Sequence, residues 1–118
     1  MNDITVEELK EKFENKDDFI FIDVREPYEY EEFNLRAELI PLGSLIAHLE
    51  DLDEFKDKEI VIHCRSGQRS GAAKETLKQL GYPKVRNLLG GVLDWQSKFP
   101  DYHGFGLDSE GNCIYKFL

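Results

Sequence analysis

The chain has 118 residues, a length that suits one domain of ordinary size, and 41% of them are hydrophobic, which is enough for a buried core. The formal net charge is −9, from 15 Lys and Arg against 24 Asp and Glu, and this balance argues against binding to nucleic acid or to an anionic membrane. Because the sequence shows no signal-peptide pattern, no stretch of about 20 apolar residues and only two cysteines, we expect a reduced, cytoplasmic, monomeric protein.

Strand-like and helix-like patterns alternate along the chain. Runs of β-branched and aromatic residues indicate buried strands, and apolar residues spaced three or four apart indicate helices. In chain order, the predicted elements are a helix over 5–13, strands over 19–24 and 37–42, a helix over 44–55, a strand over 59–63, a helix over 70–81, a strand over 84–88 and a helix over 90–99.

Local signals support two of these helices. Thr5 and Glu8 form a Ser/Thr-x-x-Glu capping box at the start of the first helix. The third predicted helix places Ala73, Leu77 and Leu80 on one face and is followed by a glycine, which commonly ends a helix. We therefore expect that face to pack on the sheet.

Alternating elements of this kind are typical of an α/β fold. The strand runs are apolar enough to be buried on both faces, which favours a parallel sheet. We predict a single three-layer domain over 1–100, with a central, mostly parallel sheet flanked by helices. The remaining stretch, 101–118, carries a turn signal at 109–112 and is predicted to be a C-terminal tail, either a short hairpin packed on the domain or an extended segment.

The stretch HCRSGQRSG, residues 63–71, contains the best candidate for a reactive group. Cys64 directly follows a predicted strand, and ligands of open parallel sheets bind beyond the carboxyl ends of the strands. A turn containing glycine then leads into a helix that starts near Arg69. Backbone N–H groups, the helix N-terminus and the charges of Arg65 and Arg69 favour an anion there, and they predict a low pKa for Cys64. The alternative is an inert core cysteine.

The spacing of the cysteine and the arginine decides between two kinds of chemistry. Phosphatases with a cysteine nucleophile carry Cys-x5-Arg, a loop that fits a tetrahedral phosphate. Here Arg69 follows Cys64 after only four residues, and Ser70 stands where a phosphatase requires its arginine. The shorter loop is predicted to surround a smaller centre, such as a sulfur atom bound to the cysteine.

Three motifs give the chain a resemblance to the single-domain rhodaneses, a family of sulfurtransferases. They are FIDVREPYEYEEF, which matches the family's DVR…E signature, IVIHCRSGQRS, which contains the six-residue active loop, and NLLGGVLDW. They occur in the right order on the predicted elements, and the resemblance covers about residues 4–99. The chain departs from the family pattern at 33–37, which lacks the usual glycines and histidine and shapes the approach to the active loop.

The resemblance implies a persulfide mechanism. Cys64 takes a sulfane sulfur from a small anionic donor such as thiosulfate, and a thiol, cyanide or a protein then accepts it. The residues implied to bind the donor and the persulfide are Arg65, Ser66, Gly67, Gln68 and Arg69. Asp23, Arg25 and Glu29 match the signature and are interpreted as structural. No metal or organic cofactor is implied.

Two other functions stay open at this point. A rhodanese-like fold can serve as a non-catalytic binding or regulatory module, although such modules tend to lose the cysteine or the arginines that this chain retains. A cysteine-based phosphatase or arsenate reductase of the same broad fold is disfavoured by the loop spacing. The physiological donor and acceptor are not specified by any motif.

Several other residues have a structural interpretation. His63 precedes Cys64, but neighbours on a strand point to opposite faces, so we expect packing of the imidazole rather than a Cys–His pair. Cys113 is interpreted as a packed tail residue in preference to a resolving thiol. Arg36 is expected to be exposed, and Trp95 is expected to lie in the core.

Overall fold

A sheet of four strands forms the centre of the structure, which the computed structural model describes for residues 2–48 and 53–100. The strands are β1 (Ile20–Asp23), β2 (Glu38–Leu39), β3 (Ile60–His63) and β4 (Val85–Asn87). They lie in the order β2–β1–β3–β4, and each neighbouring pair is parallel. All four carboxyl ends therefore meet at one edge of the sheet. The predicted tail, with Cys113 and the turn at 109–112, lies outside the described residues.

Helices lie on both faces of this sheet. The α-helices are α1 (Val6–Asn15), α2 (Pro27–Glu32), α3 (Gln68–Gln79) and α4 (Gly91–Lys98). Buried side chains of α1 and α4 pack on one face of the sheet, and those of α3 pack on the other. This arrangement confirms the predicted three-layer α/β fold. None of the helices in the described ranges has the length and apolar character needed to cross a membrane.

The alternation of side chains along β1 divides the core into two layers. Phe19 and Phe21 point to the face that α1 and α4 cover, whereas Ile20 and Ile22 point to the face that α3 covers. Trp95 of α4 is completely buried in the first layer, as its sequence context predicted. Both layers contain side chains of β1 and β3, the two central strands of the sheet.

The predicted start of α1 is confirmed, whereas the predicted end of α3 is wrong by two residues. At α1, the Thr5 hydroxyl accepts a hydrogen bond from the Glu8 N–H at 3.2 Å, which is the N-cap half of the predicted capping box. In α3, Ala73 and Leu77 are buried as expected, but Leu80 is 45% exposed. The helix ends at the residue before Leu80, so this side chain leaves the apolar face.

The predicted helix over 44–55 is wrong where the structure describes it. Two short 3₁₀ turns, Leu42–Ser44 and Ile46–His48, occupy its first part, and the His48 N–H bonds the Leu45 carbonyl at 3.0 Å. Leu45 is buried, whereas Ile46 is 71% exposed. The segment therefore does not bury the continuous apolar face expected of an amphipathic α-helix.

The short helix α2 was not predicted, because its sequence PYEYEE resembles acidic surface. Two features of its sequence favour the start of a helix at this point. Pro27 occupies the first helical turn, where a missing N–H costs nothing, and the Glu29 carboxylate accepts a hydrogen bond from the Glu26 N–H at 3.1 Å. This helix buries no residue, and its importance is that it brings Glu29 to the carboxyl edge of the sheet.

Candidate active site

Cys64 lies just beyond the carboxyl end of β3, at the centre of the sheet edge. The chain then turns through Gly67, which caps α3 with a φ of +102°. This left-handed conformation is costly for any residue with a side chain, which explains a glycine at this position. The turn brings the N-terminus of α3 directly against Cys64, as the sequence predicted.

The Cys64 sulfur is held by hydrogen-bond donors from the start of α3. The Gly67 N–H donates to Sγ at 3.1 Å, and the Ser70 hydroxyl oxygen lies 3.3 Å from Sγ. Burial alone would raise the pKa of Cys64, but hydrogen bonds from the Ser70 hydroxyl and from the amides of Ser70, Gly67 and Ser66 outweigh it and lower the pKa. Neutral donors, rather than the arginine charges emphasised by the sequence, are the main cause of this lowering.

Arg69 forms a bidentate salt bridge with Glu29. Its Nη1 and Nη2 atoms lie 2.7 and 2.9 Å from the two carboxylate oxygens. The hydrogen bonds from Arg69 lower the pKa of Glu29 to about 2. Arg69 thus ties the active loop to α2, and its charge is already compensated, which the sequence did not indicate.

The Glu29–Arg69 pair predicts a specific pH dependence of stability. The folded-state pKa of Glu29 is about 2, below the ordinary value of 4.5, so this carboxylate stabilises the fold above about pH 5 and loses that effect as pH falls toward 2. We expect Glu29→Gln to flatten the fall in the free energy of unfolding across this window, as measured by denaturant titration at a series of pH values.

The matched control for this prediction is Glu31→Gln, on the exposed surface of the same helix. It should leave the acid limb of the stability curve unchanged. Other carboxylates with lowered pKa values, including Asp3 and Glu59, keep part of the limb in every variant. Equal slopes for Glu29→Gln and wild type between pH 5 and 2 would mean that the salt bridge contributes nothing in solution.

Asp23 and Arg25 form a buried ion pair beside the loop. Arg25 Nη2 lies 2.8 Å from Asp23 Oδ2, and both side chains are almost completely buried. The same guanidinium donates to the backbone carbonyl of Phe33 at 2.7 Å, so it fixes the segment that follows α2. His63 Nε2 lies 3.6 Å from Asp23 Oδ2, and burial lowers the pKa of this imidazole. These contacts connect the ends of β1 and β3 to the segment that follows α2.

Arg65 is the exposed cation of the loop. It forms no salt bridge with any residue in the described ranges, and it borders a cleft of about 410 Å³. The cleft runs between α2 and α4. Its lining residues are Arg25, Tyr28, Glu29, Glu32, Phe33, Arg65, Val92, Leu93 and Gln96.

Two further basic residues that follow the loop, Lys74 and Arg86, are paired with carboxylates away from Cys64. Arg86 is paired with Glu59 at 2.8 Å and with Glu8 at 2.5 Å, and Lys74 is paired with Asp3 at 2.5 Å. Arg36 is exposed, as expected.

The first residues of α4 are hydrogen-bonded to the backbone of the active loop. The N–H groups of Val92 and Leu93 donate to the carbonyl oxygens of Cys64 and Arg65, both at 3.0 Å. This contact depends on Gly91, because a Cβ atom there would lie 2.5 Å from the Cys64 oxygen. The close approach of the two backbone segments therefore requires a glycine at position 91.

The sequence did not predict that Ser70 and Asn87 belong to the site. The Ser70 hydroxyl donates to Asn87 Oδ1 at 2.5 Å, and the Asn87 side-chain amide donates to the Gly67 carbonyl at 3.1 Å. Asn87 belongs to the NLLGGVLDW motif, which was the available signal. Within residues 2–48 and 53–100, no group of three or more His, Cys, Asp or Glu side chains is arranged to hold a metal ion.

Comparisons with known proteins agree with this architecture. A family model for the rhodanese-like domain matches residues 5–98. A sulfurtransferase of Allochromatium vinosum is 33% identical over 96 residues, which cover 80% of this chain and 88% of the relative. A longer Bacillus subtilis protein is 37% identical over 97 residues, which cover 81% of this chain and 51% of that protein. The crystal structure of a rhodanese-like domain protein from Staphylococcus aureus matches with a TM-score of 0.72 at 30% identity, covering 80% of this chain and 91% of the other.

Proposed function

The chain belongs to the rhodanese-like family, and from this premise we propose that it is a sulfurtransferase that carries sulfur as a persulfide on Cys64. The observation that carries the proposal is the environment of Sγ, where donors at the start of α3 lower the pKa of the thiol. A thiolate is the nucleophilic form of cysteine, so these donors prepare Cys64 for attack on a sulfur donor.

The first half of the proposed reaction loads the enzyme. The Cys64 thiolate attacks the outer sulfur of thiosulfate, the S–S bond of thiosulfate breaks, and sulfite leaves with the electron pair. The product is a persulfide whose terminal sulfur carries the negative charge. The N–H groups at the start of α3 then stabilise charge on the sulfur pair, as preorganised backbone donors do in other covalent mechanisms.

The second half returns the enzyme to its starting state. A nucleophilic acceptor, either a thiolate or cyanide, attacks the terminal sulfur, and the bond between this sulfur and Sγ breaks. The electron pair returns to Sγ and regenerates the Cys64 thiolate. The acceptor leaves as a persulfide or as thiocyanate, and no external oxidant or reductant is consumed.

The loop arginines have different proposed roles. Arg65 is exposed at the cleft, so we assign it the anionic end of the donor. Arg69 is engaged by Glu29, so it acts mainly by holding the loop against α2. Ser66, Gly67 and Gln68 contribute the backbone of the loop around the sulfur.

Intact-mass measurement before and after addition of thiosulfate tests the proposal. Wild type and Cys113→Ser should each gain one sulfur atom and lose it on addition of cyanide, whereas Cys64→Ser should gain none. Cys113→Ser is the matched control, because it removes the other thiol of the chain. If Cys64 gains no sulfur from thiosulfate, mercaptopyruvate or polysulfide, the sulfurtransferase proposal fails and a non-catalytic module becomes the better interpretation.

A further inference from the structure

The Ser70 hydroxyl faces two acceptors but has only one proton to donate. Its oxygen lies 2.5 Å from Asn87 Oδ1 and 3.3 Å from Cys64 Sγ. The Asn87 amide orientation is fixed, because Nδ2 donates to the Gly67 carbonyl at 3.1 Å. A carbonyl oxygen only accepts hydrogen bonds, so the short contact with Asn87 requires the Ser70 proton.

This arrangement distinguishes the two charge states of the sulfur. While Ser70 donates to Asn87, its lone pairs face Sγ, which suits a thiol whose S–H donates to the serine oxygen. A Cys64 thiolate instead needs the serine proton, and the hydroxyl must then turn away from Asn87. Asn87 Oδ1 loses its donor in that state, which has a cost because the amide is 8% exposed.

We propose that Asn87 is a positioning residue that competes with the Cys64 sulfur for the Ser70 proton. Ser70 is the catalytic partner in this competition, since its hydroxyl contacts the reacting atom. Asn87 does not touch the sulfur and acts only through Ser70. The hydrogen bond from Asn87 Nδ2 to the Gly67 carbonyl fixes the amide so that Oδ1 faces the Ser70 hydroxyl.

This competition acts in the second half of the proposed reaction, when the acceptor attacks the persulfide. This step of the inference therefore rests on the proposed function. In the persulfide, the negative charge lies on the terminal sulfur, so Sγ needs the serine proton less and Asn87 retains it. When an acceptor attacks, the electron pair of the S–S bond moves to Sγ. The Ser70 hydroxyl then turns to the departing thiolate and stabilises it. Asn87 thus keeps Ser70 from stabilising the thiolate too strongly before the donor arrives.

Charged groups near this chain of hydrogen bonds are compensated or remote from the serine. Arg69 is paired with Glu29 on α2, and Arg65 points to the cleft. Asp3 accepts from the Asn87 backbone N–H at 3.0 Å and is itself paired with Lys74. On the opposite side of β3, burial lowers the pKa of His63. The hydroxyl proton of Ser70 is therefore the group that changes partner, between Asn87 Oδ1 and Cys64 Sγ.

Titration of the thiolate absorbance tests the inference without any sulfur donor. All variants are made in a Cys113→Ser background, and the Cys64→Ser spectrum is subtracted. Ser70→Ala should raise the pKa of Cys64, with the acid dissociation constant falling about tenfold, because a hydrogen bond to a charged group is lost. Asn87→Ala should shift the constant several-fold in the opposite direction, because Ser70 then donates only to sulfur.

The double variant gives the decisive result. Without the Ser70 hydroxyl there is no proton for which Asn87 competes, so Asn87→Ala should not change the pKa of Cys64 further. Ser70→Ala/Asn87→Ala should therefore titrate like Ser70→Ala alone. Ser97→Ala and Asn15→Ala, at exposed positions, are the matched controls and should titrate like the parent. Should Asn87→Ala fail to fold, Asn87→Leu fills the space of the amide and makes the same prediction.

A merely structural role for Asn87 gives a different outcome. Loss of the Gly67 tether would loosen the donor loop and raise the pKa of Cys64, in the same direction as Ser70→Ala. That result, or a shift in the double variant equal to the sum of the two single shifts, would overturn the inference. Because the titration needs no sulfur transfer, it remains interpretable if the sulfurtransferase proposal fails, and failure of the titration leaves sulfur loading to be judged separately.

Discussion

Replacing Asp23 with alanine is expected to lower the free energy of unfolding by about 3–5 kcal/mol, because the change leaves the Arg25 guanidinium buried without its charge partner. Arg25 is 3% exposed, and its Nε and Nη2 atoms lie 3.0 and 2.8 Å from the Asp23 carboxylate. The Arg25 backbone N–H also donates to Asp23 at 2.9 Å and would lose its acceptor. Denaturant unfolding, with the slope compared between variants, measures the effect.

An exposed ion pair provides the control for this prediction. Asp18 is paired with Lys58 at 3.1 Å, but its side chain is 83% exposed, so Asp18→Ala should cost less than about 1 kcal/mol. A loss of similar size for Asp23→Ala would show that water enters and compensates Arg25. The interpretation of the DVR segment as a buried brace would then be wrong.

The strands were predictable because a continuous apolar run has few alternatives in a chain of this size. The first four residues of the run at 19–24 alternate phenylalanine and isoleucine, and each kind of side chain fills a different layer of the core. A strand that is apolar on both faces requires helices on both faces, so the three-layer fold follows from the strands themselves. Short elements are harder to predict, because packing contributes more to them than local sequence does. The 3₁₀ turns at 42–48 and the six-residue helix α2 both belong to this class.

The position of Cys64 was also predictable, but its partners were not. Cys64 follows a strong strand run and precedes a helix, and parallel topology then places it at the carboxyl edge. Glu29 is 40 residues from Arg69 in sequence, and Asn87 is 17 residues from Ser70. No local pattern links residues so far apart, since their contact depends on which strands become neighbours. The sequence therefore indicated the charges of the loop, and only the fold shows that one arginine is compensated.

Replacing Gly91 with alanine is expected to slow the proposed sulfur loading of Cys64 about 100-fold, the scale of loss that follows from a displacement of about 1 Å in a reacting group. The new Cβ atom would lie 2.5 Å from the Cys64 carbonyl oxygen and 2.6 Å from that of Arg65. Both are backbone atoms of the loop, so they cannot rotate away as a flexible side chain can. The residue also has a φ of +56°, which adds strain for alanine. The rate of mass gain with thiosulfate measures the effect.

Gly81→Ala separates the displacement of the loop from the strain of the backbone. Gly81 has a φ of +97°, but a Cβ atom there would meet nothing within 4 Å, so alanine should cost only about 1 kcal/mol of stability and leave the loading rate unchanged. If Gly91→Ala loads sulfur as fast as Gly81→Ala, the loop tolerates displacement and its chemistry does not depend on the support from α4. If only Gly91→Ala is slow while still folded, the hydrogen bonds from Val92 and Leu93 to the loop carbonyls are part of how the fold positions the reactive sulfur.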